Sequence, residues 1–96
     1  MAQVILRENG KLEVEGQLTI NSIASVVTHG IGLFGRENMV IDLARVTEVD
    51  STAVSMLLQW QREAAHRNSE VSVINIPQNL QSLMQLYGVS ELMKLA

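Results

Sequence analysis

The chain has 96 residues, a formal net charge of −3 and no cysteine. That length suits one small domain, and 47% hydrophobic against 18% charged residues supports a packed core and argues against disorder. The missing thiols exclude a disulfide framework and a thiolate metal site, and seven scattered Lys and Arg residues give no basic footprint for nucleic acid.

Aromatic residues make up only 3%, so the core must come mostly from Val, Leu, Ile, Met and Ala. No apolar run approaches the roughly 18 residues of a membrane span, so direct membrane insertion is not expected. The N-terminus lacks a signal-peptide shape, because its basic residues follow the short apolar run. The expected location is cytoplasmic.

In chain order, Val4, Ile5 and Leu6 predict a strand, Asn9-Gly10 a hairpin turn, and Leu12, Val14 and Gly16 the returning strand. Ile23, Val26, Val27, Gly30, Ile31 and Phe34 recur at helical spacing. Asn21 or Thr19 is the expected cap of this helix and Gly35 its stop. "NMVIDL" reads as a buried strand. "STAVSMLLQWQREAAHRN" reads as the longest helix, from Ser51 to near Asn68, with Ser51 expected as a cap and docking residue. "EVSVINI" is a further strand. "PQNLQSLMQLYG" is a helix with Pro77 in its first turn, a stripe of Leu80, Leu83, Met84 and Tyr87, and Gly88 as terminator. "SELMKL" is expected as a last short helix capped by Ser90. Strands that alternate with helices imply crossovers. The expected class is α/β: a central mixed, mostly parallel sheet of about four strands with helices packed around it, forming one domain over the whole chain.

Several motifs give way to plainer readings. "GIGLFG", Gly30 to Gly35, matches the dinucleotide pattern G-x-G-x-x-G, but it closes a helix instead of opening one. Phosphates there would meet carbonyl groups and the negative end of the dipole. A frayed or tightly packed helix end explains it better. His29 and His66 have no second ligand at i+3 or i+4, so no metal site is expected. His66 lies roughly 22 Å up the same helix as Ser51, at 1.5 Å per residue, and cannot act as its base. No catalytic residues and no cofactor are assigned. Asp42 and Asp50 lie near the end of the same strand, where open sheets place sites. A Mg²⁺ pair is one reading. The other, preferred for Asp42, has Asp42 ending the strand and Asp50 capping the helix.

On the helix from Ser51, Met56, Trp60, Ala53, Ala64, Leu57, Gln61, Val54, Ala65 and Leu58 cover an arc of about 200° at 100° per residue. Leu57, Val54, Ala65 and Leu58 suffice to face the sheet. Met56 and Trp60 lie at the far edge, beside Thr52, where either an interface role or packing on a neighbouring helix of the same fold is expected.

The block "IDLARVTEVDSTAVSMLLQW" resembles the core motif of STAS domains, the sulfate-transporter and anti-sigma-factor-antagonist family. Ile41-Asp42-Leu43, Val49-Asp50 and Ser51 match that motif position by position, and the element order matches the family's fold over essentially the whole chain. The resemblance implies a non-enzymatic, protein-binding domain centred on the helix start, Asp50, Ser51, Thr52 and Ala53, to which the helical projection adds Met56 and Trp60 as expected partner-binding residues. The short stand-alone form looks most like the STAS subunits that bind the ATPase of a bacterial phospholipid-trafficking ABC transporter. Such a subunit is peripheral to the inner membrane through its partner. The resemblance also implies a second role, an anti-sigma-factor antagonist whose Ser51 is phosphorylated by an anti-sigma factor kinase. A third is a small nucleotide-binding domain. Ala53 stands where the family pattern commonly has Gly.

Overall fold

The computed structural model describes residues 2–35, 37–89 and 94–95, without the side chains of Asn9, Lys94 and Leu95. Alternating residues set up the first two strands, β1 (Gln3–Leu6) and β2 (Lys11–Leu18). Val4, Leu12, Val14 and Leu18 point into the core, while Lys11, Glu13 and Glu15 face the other way and stay half-buried. The hairpin turns through a single 3-10 turn, Glu8–Gly10, closed by the Arg7 N–H on the Lys11 carbonyl at 2.7 Å. Gly10 takes φ +73, a conformation open to glycine at little cost.

Helix α1 (Ile23–Gly32) follows, then strand β3 (Met39–Val49), helix α2 (Thr52–His66), strand β4 (Val71–Ile74), helix α3 (Gln78–Leu86) and strand β5 (Lys94–Leu95). The sheet has five strands in the order β1-β2-β3-β4-β5, antiparallel between β1 and β2 and parallel elsewhere. It is the expected mixed, mostly parallel α/β sheet. Crossovers between parallel strands are right-handed as a rule, and with the strands in chain order that rule puts α1, α2 and α3 on one face. Accordingly, α1 packs on α2 and α2 on α3.

Some boundaries differ from expectation. Strand β3 does not end at Leu43 but continues to Val49, because the long β2 pairs with it up to Leu18↔Val49, through two register shifts. Asp42 therefore lies within the strand and does not end it. Helix α1 stops at Gly32, before Gly35, and neither Thr19 nor Asn21 caps it by its side chain. Lys94–Leu95 of the expected last helix is instead a strand beside β4. Residues 90–93 and 96, including the expected cap Ser90, lie outside the described residues.

Both later helices end in Schellman motifs. In α3, Gly88 at φ +69 allows the Val89 N–H to reach the Met84 carbonyl at 3.0 Å. In α2, Asn68 at φ +57 does the same for the Ser69 N–H on the Ala64 carbonyl at 2.9 Å.

Helix α2 supplies the centre of the core. Ala53, Val54, Met56, Leu57, Trp60 and Ala64 are all buried. Trp60 is 0% exposed. Its indole N–H donates to the Val27 carbonyl at 3.2 Å, and its ring lies 6.0 Å from that of Phe34. Gly30 of α1 faces this ring so closely that an added Cβ would fall 2.3 Å from Trp60 Cζ2. Of the two readings of the "GIGLFG" segment, frayed or tightly packed, the packed one holds at Gly30.

Candidate partner-binding site

Strand β3 delivers Asp50 to the start of α2, and Asp50 organises everything around it. Its own N–H donates to the Leu18 carbonyl at 3.1 Å, which extends the β2–β3 pairing by one bond. One carboxylate oxygen accepts the Thr52 N–H at 2.9 Å and also the Thr52 hydroxyl. The other oxygen accepts the Ile20 N–H at 2.9 Å, in the β2–α1 connection. Asp50 therefore caps α2 and ties the β2–α1 connection to it. The Thr52 hydroxyl, with the Ile20 and Thr52 N–H groups behind it, holds the Asp50 carboxyl below the usual carboxylate range, against the opposing effect of burial.

Ser51 is not the cap. It has helical dihedrals (φ −63, ψ −19), and its side chain makes no capping hydrogen bond. It is exposed, so its hydroxyl stays available at the surface. Thr52 is half-buried beside it.

The other expected partner-binding residues lie elsewhere. Ala53, Met56 and Trp60 are fully buried, which returns them to the core. The outer edge of the apolar arc is not free surface, because α1 covers it, with Gly30 making room for Trp60. Of the six expected residues, the structure therefore brings Asp50, Ser51 and Thr52 together at one surface.

One residue of that surface escaped the sequence reading. Ile20, at 73% exposure, stands on the connection that Asp50 holds. The available signal was an isoleucine between a strand and a helix, flanked by Thr19 and Asn21. Beside this cluster, a shallow groove of about 350 Å³ runs between α1 and α2. Ile23, Ala24, Thr28, Thr52, Ser55 and Gln59 line it, with Val27 and Met56. None of these side chains is charged.

Asp42 takes no part in the cluster. Its carboxylate meets Lys11 Nζ at 3.1 Å, the Asn75 side-chain amide at 3.0 Å and the Ala44 N–H at 2.9 Å. It serves the sheet as an anchor. Among the described residues no group of three or more His, Asp or Glu side chains is placed to hold a metal ion, and no helix is long and apolar enough to cross a membrane. His29 and His66 are exposed helix residues.

Comparison with known proteins places this geometry. A family model described as "Mlab, STAS domain" matches residues 1–95. No curated protein matches the sequence. Among solved structures, a chain of the Acinetobacter MlaFEDB complex in its ATP-bound Vtrans2 conformation superposes with a TM-score of 0.82 at 20% identity. The match covers 98% of this chain and 99% of that one. An anti-sigma factor antagonist from Mycobacterium paratuberculosis gives 0.73 at 16% identity, over 99% of this chain and 85% of that one. The anti-sigma factor antagonist SpoIIAA, in its unphosphorylated form, gives 0.67 at 12% identity, over 100% and 87%. At such identities the structural likeness speaks for the fold. With the family model spanning nearly the whole sequence, the chain belongs to the STAS domain family, in the MlaB grouping that the model describes.

Proposed function

We propose that this chain is a non-enzymatic accessory subunit that docks, through the start of α2, on the ATPase of a phospholipid-trafficking ABC transporter. The carrying observation is the exposed Ser51 hydroxyl. Asp50 does the capping, so Ser51 is left facing outward between Thr52 and the β2–α1 connection. The end-to-end likeness to a chain of a transporter complex supports this partner class. Such a subunit would sit at the cytoplasmic side of the inner membrane through its partner and need no cofactor.

The same hydroxyl favours a second reading, an anti-sigma-factor antagonist switched by phosphorylation of Ser51. A phosphate there would meet the positive end of the α2 dipole. It would also add about −1.5 to −2 charge beside Asp50 and so disrupt a surface shaped for a hydroxyl. Ala53 in place of the common Gly weighs more against kinase recognition than against docking. The likeness to SpoIIAA keeps this reading in play. Nucleotide binding is a third reading, tested by nucleotide titration followed by NMR.

Isothermal titration against the cognate ATPase decides. Ser51→Asp should weaken binding about tenfold or more, because a new carboxylate must be desolvated at the centre of the surface. Its stability should hold or rise slightly, since an acid suits a helix N-terminus. Ser51→Ala loses no capping bond, so it should keep both its stability and most of its affinity. Unchanged affinity for Ser51→Asp would place the interface elsewhere. A phosphate mass shift at Ser51 after incubation with the host's anti-sigma factor kinase and ATP would turn the assignment to the second reading.

A further inference from the structure

We propose that Ile20 is the apolar anchor of this partner surface, and that the partner offers it an apolar pocket flanked by lysine or arginine. This inference rests on the docking reading above and adds the chemistry of the surface to it. Isoleucine is among the residues most often buried, yet Ile20 is largely exposed. Its backbone is nonetheless fixed. The Ile20 N–H is held by Asp50, the Ser22 hydroxyl donates to the Gln17 carbonyl at 2.6 Å, and the Ser22 and Ile23 N–H groups both reach the Thr19 carbonyl at 2.9 Å. An apolar side chain on a pinned connection has little main-chain freedom left to lose on binding, which favours an anchor role.

Charge identifies the partner's side of the contact. The stretches that surround Ile20, residues 17–24 and 46–59, contain two charged residues, Glu48 and Asp50, both acidic. Asp50 is turned toward its internal donors, whereas Glu48 is exposed. Arg45, the next cation along β3, pairs with Glu15 at 3.9 Å, so the acidic Glu48 is the exposed charge that this rim presents. A complementary partner carries cations at the rim of its pocket. Next to the anchor, the uncharged groove between α1 and α2 continues the surface through Ile23 and Thr52.

The probe is the purified ATPase subunit of the host's phospholipid ABC transporter, measured by isothermal titration and stopped-flow at low and high salt. Ile20→Ala should weaken binding about tenfold or more, while its melting temperature stays at the wild-type value because the side chain is exposed. Glu48→Gln should slow association and flatten its dependence on salt. Leu86→Ala, at a side chain 75% exposed at the end of α3, is the control and should bind like wild type. An Ile20→Ala affinity within about twofold of wild type, with Ser51→Asp still disruptive, overturns the anchor and leaves the docking reading standing. Association that ignores salt, or an equal loss from Leu86→Ala, also overturns the anchor and its cationic pocket. Failure of the wild-type chain to bind the ATPase overturns the docking reading and the anchor with it.

Discussion

Gly30 shows how one missing side chain decides what its neighbours do. On helix propensity alone, Gly30→Ala should stabilise α1 by about 0.5–1 kcal/mol. The added Cβ, however, would fall 2.3 Å from Trp60 Cζ2, inside any tolerable contact. Overpacking a core of this kind costs about 1–3 kcal/mol, so the clash should win. The expected outcome is a lower urea midpoint, with Trp60 emission shifted to the red as the indole is displaced. A midpoint at or above wild type would show that the ring moves aside at no cost. The same close approach explains why Trp60 and Met56 could not be placed from sequence. Helical spacing put them correctly on the apolar arc, but nothing along the chain said that a glycine 30 residues away lets α1 cover them. Asp50 and Ser51 pose a similar problem, since either is a good cap by residue type. The choice depends on the Ile20 N–H, which only the folded β2–α1 connection brings to the Asp50 carboxylate.

At the level of elements, α2 was legible in extent but not in phase. Its buried residues span an arc of about 160° centred near Trp60, Ala53, Ala64 and Leu57. The sequence reading faced the sheet with Leu57, Val54, Ala65 and Leu58, an arc turned too far round. Ala65 is exposed and Leu58 only half-buried. A 200° arc has room for either phase, and contact with two neighbours, α1 and the sheet, selects between them. The consequence is measurable. Leu57, fully buried, should cost about 2–5 kcal/mol on truncation to Ala, whereas Leu58→Ala should cost clearly less because less apolar surface leaves the core. Equal losses in chemical denaturation would mean that α2 is rotated from this orientation. Strand and helix order were more legible, because alternation and helical spacing are local signals. Two features needed pairing partners to appear. The second half of β3, "ARVTEV", reads as a loop until β2 lies beside it. Lys94–Leu95 becomes a strand only at the edge of β4.

At the level of the whole molecule, the face of the sheet turned away from α1, α2 and α3 mixes half-buried Ile5, Val40 and Ile74 with charged side chains. Parallel sheets usually have both faces covered. Here the second face carries the ion pairs Arg7–Glu13, Lys11–Asp42 and Arg45–Glu15. Exposed pairs of this kind contribute little, because solvent screens them. The Asp42 pair differs, because Asp42 is 7% exposed. Its carboxylate joins β2 through Lys11 and the β4–α3 connection through Asn75, which adopts φ +55. Burial pushes the Asp42 carboxyl up, but the hydrogen bonds from Asn75, Ala44 and Lys11 outweigh it and leave it below the ordinary carboxylate value. Asp50 is lowered too, chiefly by the Thr52 hydroxyl. A carboxylate lowered by folding contributes stability above its unfolded pKa, about 3.9 for Asp, and loses it as the pH falls through the folded value. Stability should therefore be nearly flat from neutral pH down to about pH 5 and fall below about pH 4, within the acid range set by those two lowered groups. Asp42→Asn separates the Asp42 contribution. An amide turns an N–H₂ group toward Lys11 or Asn75, so the variant should be less stable at neutral pH. It has no carboxyl to protonate there, so its stability should decline less steeply than wild type between about pH 4 and pH 2. Urea midpoints across that range provide the comparison. An acid limb in Asp42→Asn as steep as that of wild type would show that Asp42 titrates as it does in the unfolded chain and that the acid sensitivity arises elsewhere.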